Sequence, residues 1–427
     1  MTKLKSIPSI LLMISMAFLL FLSSCSSTRK IKINFKVEAK NKSDFKGFVL
    51  YNPKTKDELI NYNGHTYFTP ASNTKLLTFY TAFRTFKDSV PGLEFYETKD
   101  SLIIKGTANP SFNYGFNDTK ILEFLKNTKL PIYLINAAID EPVYGSGWAW
   151  DDYSFAFMPE KNLFPVSGNV VTYQNKNNVI QSNPAYFKSF IKLVESNSKT
   201  REVHSNLFYL LQKSDKIQKT PFVTSNQVVK NVLEEISGKS IQLVPPNKNY
   251  TFIKLYVESY SNLYKKLLID SDNFIAEQLL LQVGKEVANT YNVQKAIDYS
   301  LANYLYKLPQ KPRWVDGSGL SRYNLISPKD MVFVLEQLYN EIPFPELITY
   351  FPQGGISGTL QNQFKSTEPY IFAKTGTLSN NYNLSGFLKT KKGTILIFSY
   401  MNNHFLESTT QIKSDIEKTL QNIYLKY

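Results

Sequence analysis

Three short groups of polar residues in this sequence could together activate a serine. They are Ser72-Asn73-Thr74-Lys75, Ser271-Asp272-Asn273 and Lys374-Thr375-Gly376, in that order. A serine hydroxyl is a weak nucleophile at neutral pH and must lose its proton to a nearby base as it attacks. Residues i and i+3 lie on one face of a helix, so the Lys75 amine is expected about one turn from the Ser72 hydroxyl. The first group therefore predicts a nucleophile with its own base.

Lys75 can act as a base only if its pKa falls below the usual lysine range. Burial, the positive end of a helix dipole and a second cation such as Lys374 would each lower the pKa of Lys75. We therefore predict that Lys75 is at least partly neutral in the resting protein.

The second group supplies a proton relay and a hydrogen-bonding amide. Ser271 can pass a proton to a leaving amine, and Asn273 can bind both Lys75 and a substrate amide. Both residues are therefore predicted to belong to the same site as Ser72.

The third group supplies contacts to a substrate. Lys374 and Thr375 offer a cation and a hydroxyl to a carboxylate, and Gly376 leaves room for a chain to run beside the strand. The backbone N–H groups of Ser72 and Thr377 are expected to form an oxyanion hole.

The combination of the three groups is more specific than any one of them. Ser-x-x-Lys recurs at Ser43, Ser189 and Ser196, whereas Lys-Thr-Gly occurs once. The first group opens a helix that starts with proline, and the last precedes a hairpin. This order and context favour a catalytic interpretation over purely structural roles, namely Ser72 as an early-helix residue, Asn273 as a helix cap and Lys374 as a solvated strand lysine.

The elements that must position these residues mix helices and strands. GFVLYN is typical of a strand, and TPASNTKLLTFYTAFRTF predicts a helix with Thr69 as N-cap and Pro70 in the first turn. Short apolar runs between turns predict a β-rich insertion from about 90 to 245. A single helical stretch is then predicted over residues 260–288.

The C-terminal part predicts a hairpin covered by a helix. NLSGFLKT and TILIFSYMNN flank a Lys-Lys-Gly turn, which favours antiparallel pairing. Ile412, Ile416, Leu420 and Ile423 then repeat at helical spacing, so this helix face is expected to pack on the sheet.

The N-terminal residues have the layout of an export signal. MTKLKSIPSILLMISMAFLLFLSSC joins a basic start to an apolar run. Leu22-Ser23-Ser24-Cys25 resembles a bacterial lipoprotein signal, in which the cysteine is lipidated and becomes the new N-terminus. We predict a signal peptide over 1–24 and a tether over 25–40. The alternative is an uncleaved membrane anchor with an incidental cysteine, and both interpretations put the body outside the cytoplasm.

Composition excludes several classes. The 427 residues carry a formal net charge of +14, or +12 without Lys3 and Lys5 of the signal (14 − 2). Export disfavours nucleic acid and favours anionic envelope polymers, although a generally solvated basic surface would have the same charge. The three histidines lack metal-ligand spacing and Cys25 is the single cysteine, so we predict no metal, no cofactor and no disulfide within the chain.

Four stretches around these residues resemble one family. They are FTPASNTKLLT, SDNFIAEQLL, WVDGSGLSR (314–322) and GGISGTL with AKTGTLSNNYNLSGF. The resemblance is to the class C low-molecular-mass penicillin-binding proteins, the D-alanyl-D-alanine carboxypeptidase/endopeptidase family. It implies an α+β fold, with an antiparallel sheet flanked by helices and interrupted by a β-rich insertion.

The resemblance also implies a domain division. Residues 41–90 and 246–427 would form the peptidase domain, and 91–245 would be the inserted accessory part. Lys75 and Ser271 lie 196 positions apart (271 − 75), and the much shorter interval of class A β-lactamases disfavours that alternative.

A pocket for the substrate side chain is implied in the same way. Trp148-Ala149-Trp150-Asp151-Asp152, followed by Phe157, resembles the family's pocket for diaminopimelate. Asp152 would meet the side-chain amine and Arg322 its carboxylate. Asp152 is otherwise a turn or N-cap residue, Phe157 a core aromatic and Arg322 part of a structural ion pair. Glu277 is interpreted as a helix-surface or ion-pair residue.

The expected activity is that of a serine D-Ala-D-Ala carboxypeptidase/endopeptidase. It would cleave peptidoglycan stem peptides through a Ser72 acyl-enzyme, and β-lactams would inhibit it. The protein is expected on the periplasmic side of the cell envelope, held to a membrane through lipidated Cys25. The alternatives are a β-lactamase or esterase on the same fold, and a non-catalytic wall-binding lipoprotein.

Overall fold

The computed structural model describes residues 45–427 apart from 87–88, 197–198 and 248. The predicted signal peptide, the tether and Cys25 therefore lie outside the described residues. In the part that is described, no helix is both long and apolar enough to cross a membrane.

The described chain contains the following elements in order. Its strands are β1 (Phe45–Asn52), β2 (Asp57–Tyr62), β3 (Ser89–Glu97), β4 (Leu102–Gly106), β5 (Ile132–Ile135), β6 (Val170–Lys176), β7 (Val179–Asn183), β8 (Ile191–Val194), β9 (Phe208–Leu211), β10 (Gln218–Pro221), β11 (Ile241–Val244), β12 (Ile253–Ser259), β13 (Ile371–Leu378), β14 (Asn381–Lys389) and β15 (Ile395–Asn403). Its α-helices are α1 (Lys75–Thr85), α2 (Lys120–Asn127), α3 (Asn226–Ser237), α4 (Tyr260–Ile269), α5 (Asn273–Ala288), α6 (Val293–Asn303), α7 (Pro328–Glu341), α8 (Phe344–Leu347) and α9 (Thr409–Lys426).

The chain divides into two compact units. The first contains the described part of Met1–Pro70 together with Pro309–Pro312 and Ile326–Tyr427, and the second contains Ala71–Leu308 and Arg313–Leu325. The Ser72 helix thus falls in the same unit as the predicted insertion. The predicted boundaries at 90 and 246 stay a prediction.

The first unit is built on a five-stranded antiparallel sheet. Its strand order is β13-β14-β15-β1-β2, so the N-terminal strands of the described chain join the C-terminal ones. The predicted hairpin is confirmed: β14 and β15 pair from Asn381↔Asn403 to Lys389↔Ile395. Gly393, at the end of the Lys-Lys-Gly turn, has a φ of +87°, which glycine adopts without strain.

Helices cover both faces of this sheet. The four periodic apolar residues of α9 are buried with Phe48, Leu388 and Phe398, as the sequence predicted. On the opposite face α7 packs against β1 and β15. There the rings of Tyr339 and Phe387 lie 6.4 Å apart. Leu388 and Phe387 face opposite layers because successive strand residues alternate. The predicted antiparallel sheet flanked by helices is confirmed.

The second unit contains the β-rich segment and the six helices α1 to α6. A five-stranded sheet has the order β11-β5-β4-β3-β12, in which β5 pairs in parallel with both neighbours. Two smaller sheets, β10-β6-β7 and β8-β9, complete the strands of this unit among the described residues. Helix α5 packs against α1 and α6 and is buried from Phe274 to Gly284.

The prediction of a single helix over 260–288 is wrong, because the segment forms two helices, α4 and α5, with a break between them. Ser271 has a φ of +58°, in the left-handed region, which ends the path of α4. Asp272 then caps α5, because its carboxylate accepts the Ile275 N–H at 2.9 Å. The break puts Asn273 at the first residue of a helix.

The first predicted helix also starts later than expected. A 3-10 turn over Ala71–Thr74 precedes α1, and Ala71 has a φ of +49°. Thr69 is not its N-cap, because α1 begins at Lys75 and its N-cap is Thr74. The Thr69 N–H instead donates to Asn403, and its carbonyl accepts from Asn383. Ser72 thus lies in the tight turn that opens α1.

Candidate active site

Ser72 and Lys75 are in contact, as their spacing predicted. The Lys75 Nζ lies 3.0 Å from the Ser72 Oγ. Ser72 is partly exposed, whereas Lys75 is completely buried. A buried amine therefore contacts a partly exposed hydroxyl.

Two further groups hold the Lys75 amine. Its Nζ lies 2.6 Å from Oδ1 of Asn273 and 2.7 Å from the carbonyl oxygen of Ser318. Together with the Ser72 hydroxyl, these acceptors match the three protons of an ammonium group. Asn273 in turn donates through Nδ2 to the Phe157 carbonyl at 2.8 Å. The structure thus brings Asn273 to Lys75 as predicted, and it adds Ser318.

Burial lowers the pKa of Lys75 to about 8. Desolvation is the largest cause, because it penalises the charged ammonium. The carboxylates of Asp316, Glu277 and Asp272 act in the opposite direction and keep part of the proton affinity. The predicted lowering is confirmed in direction, and burial is its main source.

Asp316 fixes the loop that carries Ser318. Its Oδ1 accepts from the Gly319 N–H at 2.9 Å and from the Asn324 amide at 2.6 Å. Its Oδ2 accepts from the Ser321 N–H at 2.6 Å and from the Trp148 indole at 2.9 Å. Four donors on one buried carboxylate hold the loop in a single shape.

Two glycines let this loop approach its neighbours. Gly319 has a φ of +82°, and a Cβ there would lie 1.9 Å from the Ala71 carbonyl oxygen. A Cβ on Gly317 would lie 2.6 Å from the carbonyl oxygen of Ala276 in α5. The tight turn expected at residues 316–319 therefore packs directly on the turn that carries Ser72.

Glu277 is not a surface residue, so the helix-surface alternative is wrong, and the ion-pair alternative stays a prediction. Only 2% of it is exposed, because the first half of α5 is buried on all sides. Its Oε1 accepts the Ser318 N–H at 2.7 Å. Burial raises the pKa of Glu277 to about 7, and the nearby Asp316 carboxylate adds to the effect.

The residues of the predicted side-chain pocket lie on two loops of the same unit. Asp152 is part of the 3-10 turn Trp150–Ser154, whose N-cap is Ala149 rather than Asp152. Burial and the neighbouring Asp151 carboxylate raise the pKa of Asp152, and the positive charge of Arg322 opposes them. Arg322 is therefore close enough to act on Asp152 electrostatically.

Phe157 is exposed rather than part of the core. It is 45% exposed, and its ring stacks on Phe155 with 5.4 Å between centroids. An apolar surface of this kind is available to a ligand.

A clamp that the sequence did not reveal holds the Asp152 turn. The Tyr153 hydroxyl donates to the Arg201 carbonyl at 3.0 Å, and the Arg201 guanidinium lies 5.2 Å from the Tyr153 ring centroid. Thr200 donates to the Ser154 carbonyl at 3.3 Å. No motif marks these residues, because the clamp depends on backbone carbonyls that any residue has.

The Lys-Thr-Gly group lies on β13 in the first unit. Lys374 is buried and donates to the Thr375 carbonyl at 2.9 Å, and Thr375 donates to the Thr359 hydroxyl at 2.8 Å. Gly376 pairs with Asn383 of β14. The grouping of this strand with Ser72 stays a prediction, as do the roles of Ser271 and of the Thr377 N–H.

A metal site is not among the features of this region. Within residues 45–427, the described positions contain no group of three or more histidine, cysteine, aspartate or glutamate side chains arranged to hold a metal ion.

The fold and the Ser72–Lys75 pair define a class of enzyme, the serine peptidases of the penicillin-binding type. A crystal structure of penicillin binding protein 4 from Haemophilus influenzae superimposes with a TM-score of 0.72 over 89% of this chain and 96% of that chain, at 22% sequence identity. The sequence model of the D-Ala-D-Ala carboxypeptidase 3 (S13) family matches residues 32–192 and 243–424. The chain belongs to this family.

Two relatives match over most of their length. D-alanyl-D-alanine carboxypeptidase DacB of Haemophilus influenzae is 25% identical, with 89% of this chain and 91% of the relative covered. Penicillin-sensitive carboxypeptidase A of Dictyostelium discoideum is 26% identical, with 86% of this chain and 84% of the relative covered.

The packing of the 316–319 loop yields a stability prediction. Gly319→Ala should lower the melting temperature by several degrees, because its Cβ would collide with the Ala71 backbone in addition to the strained φ. Gly238→Ala is the matched control, since Gly238 has a φ of +68° with no atom within 4 Å of its Cβ position. Thermal unfolding of both variants would test this. Equal losses would show that the close approach to Ala71 is not needed.

Proposed function

We propose that Ser72 of this D-Ala-D-Ala carboxypeptidase-family enzyme is the nucleophile that cleaves D-alanyl bonds of peptidoglycan stem peptides, as a carboxypeptidase/endopeptidase. The observation that carries the proposal is the 3.0 Å contact between Ser72 Oγ and the buried Lys75 amine. With its pKa lowered to about 8, Lys75 is partly neutral at physiological pH and can accept a proton.

The first step forms an acyl-enzyme. The Ser72 oxygen attacks the carbonyl carbon of the D-alanyl bond while its proton passes to Lys75. The new ammonium is stabilised by Asn273 and the Ser318 carbonyl, which already lie within hydrogen-bond distance. The C–N bond then breaks, and the leaving amine takes the proton from Lys75 through Ser271, which returns Lys75 to its neutral form. Loss of D-alanine, or of the partner strand of a cross-link, leaves the ester on Ser72.

The second step releases the product. Water attacks the ester carbonyl, Lys75 takes its proton, and Ser72 recovers a proton as the acyl group leaves. A β-lactam would acylate Ser72 by the same first step. Slow release of that acyl group would make it an inhibitor.

The substrate backbone is proposed to bind along β13. This strand is at the edge of its sheet, and Ile371 and Ala373 already pair with residues 352–354. The following residues, Lys374 and Thr375, would bind the terminal carboxylate, and Gly376 would leave space for the peptide. The N–H groups of Ser72 and Thr377 would stabilise the oxyanion.

The substrate side chain is proposed to bind between Asp152, Arg322 and Phe157. A diaminopimelate side chain ends in an ammonium and a carboxylate, which an aspartate and an arginine complement. The electrostatic effect of Arg322 on Asp152 supports the proximity of these two charges. Phe157 would cover the methylene groups between the backbone and the charged end.

The cell envelope is the proposed location, because peptidoglycan is the proposed substrate. The signal over residues 1–24, the tether over 25–40 and lipidation of Cys25 on the periplasmic side are part of the proposal and rest on the sequence. So does the division into a peptidase domain (41–90 and 246–427) and an inserted accessory part (91–245).

Fluorescent penicillin tests the nucleophile directly. Residues 26–427 should become covalently labelled, and Ser72→Ala should lose the label because no acyl ester can form. Ser271→Ala, with the hydroxyl removed but the nucleophile intact, should still label at a reduced rate. Labelling of Ser72→Ala equal to wild type would exclude Ser72 as the nucleophile.

The decay of the label separates the alternatives. Label that persists for hours supports a penicillin-inhibited peptidase. Label lost within seconds supports a β-lactamase or esterase on this fold. A wild-type protein that never labels supports a non-catalytic wall-binding protein.

Acylation should depend on pH through Lys75. Only the neutral amine accepts the Ser72 proton, and with a pKa of about 8 roughly a tenth of it is neutral at pH 7. The labelling rate should therefore rise about tenfold from pH 6 to pH 7 and level off above about pH 9. Stopped-flow labelling across this range, corrected for free penicillin hydrolysis, is the measurement. A flat profile would rule out a general-base role for Lys75.

The side-chain pocket predicts a selective loss of substrate affinity. Asp152→Asn should lower kcat/KM for a stem peptide with free diaminopimelate about tenfold, because an ammonium partner is removed. A peptide whose side-chain amine is acetylated should be cleaved equally by both proteins. Asp151→Asn, at the exposed neighbouring position, is the matched control. Equal losses on both peptides would contradict the assignment of Asp152 to the side-chain amine.

A further inference from the structure

Glu277 lies one helical turn after Asn273 on α5. Residues i and i+4 share a helix face, so both side chains point toward the same region. Asn273 contacts the Lys75 amine directly, whereas Glu277 contacts the Ser318 backbone. The face of α5 that carries the predicted Ser-x-Asn motif thus continues into a second buried polar group.

A single residue connects Glu277 to the base. The Ser318 N–H donates to Glu277 Oε1 at 2.7 Å, and the Ser318 carbonyl lies 2.7 Å from Lys75 Nζ. Glu277 holds the peptide plane that contains the Ser318 N–H, and Asp316 holds the next plane, which contains the Ser318 carbonyl, through the Gly319 N–H. Glu277 therefore helps Asp316 to fix the residue that supplies one of the three acceptors of the Lys75 ammonium.

The charge of Glu277 also affects the pKa of Lys75. Three carboxylates raise the pKa of Lys75 against the effect of burial, namely Asp316, Glu277 and Asp272. Asp316 is held by four donors and Asp272 by two, Ile275 N–H and the Tyr114 hydroxyl. Glu277 is different, because its Oε2 is buried without a hydrogen-bond partner among the described residues.

The surroundings of Glu277 bring the pKa of its carboxyl group close to neutral pH, so both protonation states are populated there. Burial and Asp316 raise its pKa to about 7, while the charge of Lys161 and hydrogen bonds from the Ser318 side chain and the Gly317 backbone act in the opposite direction. Lys161 forms a buried ion pair with Glu141. Because Oε1 accepts the Ser318 N–H, a proton on Oε2 leaves that hydrogen bond in place.

We propose that Glu277 is a positioning residue for Lys75: it holds the Ser318 carbonyl against the amine, and its charge sets how readily Lys75 takes and returns the Ser72 proton. An ionised Glu277 stabilises the ammonium that forms during acylation, and a neutral Glu277 favours the free amine in the resting enzyme. The inference rests on the proposed role of Lys75 as the base.

Glu277→Gln is the test, because glutamine keeps the Oε1 acceptor for Ser318 but removes the charge. Without that carboxylate, Lys75 should lose its proton at lower pH. The pH of half-maximal penicillin labelling should fall by about one unit, with the rate at high pH within about threefold of wild type. Glu277→Leu removes the acceptor as well and should lower the maximal rate at every pH.

The control is Glu286→Gln, a change of the same type at an exposed site on the same helix. It should leave the profile unchanged. A wild-type profile for a folded Glu277→Gln protein would overturn the inference, since a carboxylate with only a structural role would leave the midpoint in place. If the labelling rate of the wild-type protein did not depend on pH, the proposed role of Lys75 as the base would be contradicted instead. The two failures are therefore distinguishable.

A second variant tests the same inference if Glu277→Gln does not fold. Replacing the buried pair together, Glu141→Gln with Lys161→Met, removes a positive charge that favours ionised Glu277. Glu277 should then be neutral up to higher pH, and the labelling midpoint should move in the same direction as in Glu277→Gln. A shift in the opposite direction, or none, would overturn the inference.

Discussion

Burial of the Lys75 amine is the constraint on which the rest of the site depends. Moving an ammonium group out of water costs free energy, and a buried amine stays charged only where hydrogen-bond acceptors replace the solvent. Ser72, Asn273 and Ser318 supply one acceptor each. Three acceptors allow Lys75 to be charged, and burial lowers its pKa to about 8, so the neutral form is also populated. The same three groups lie within reach of both protonation states of the amine.

Much of the surrounding structure positions those three acceptors around the Lys75 amine. The left-handed residue Ser271 and the cap at Asp272 start α5 at Asn273, so the amide points from a helix terminus. Asp316 gathers four donors and fixes the loop of Ser318. Through the Trp148 indole, the same carboxylate also binds the segment that leads to Asp152. One buried aspartate thereby ties the base to the proposed side-chain pocket.

The sequence predicted the regular elements well and their junctions less well. The hairpin of β14 and β15 and the buried face of α9 followed from alternation and helical periodicity, because both patterns are set by local geometry. The break at Ser271 and the late start of α1 did not, since Ser271 and Ala71 have positive φ values that serine and alanine rarely adopt and that their residue types do not signal. The burial of Glu277 could not be predicted for a similar reason: a helix buried on all sides has no periodic pattern that separates surface from core residues.

By itself, the sequence determined which residue types were available for chemistry and which family they belong to. Serine, lysine and asparagine in fixed motifs carry that information, because the reaction requires those functional groups. Only the tertiary structure decided that Lys75 is desolvated, that Ser318 is its third acceptor, and that Glu277 is buried beside them. Desolvation is a property of all surrounding atoms, and backbone acceptors leave no mark on residue identity. The shifts in the pKa of Lys75 and Glu277 therefore follow from the fold.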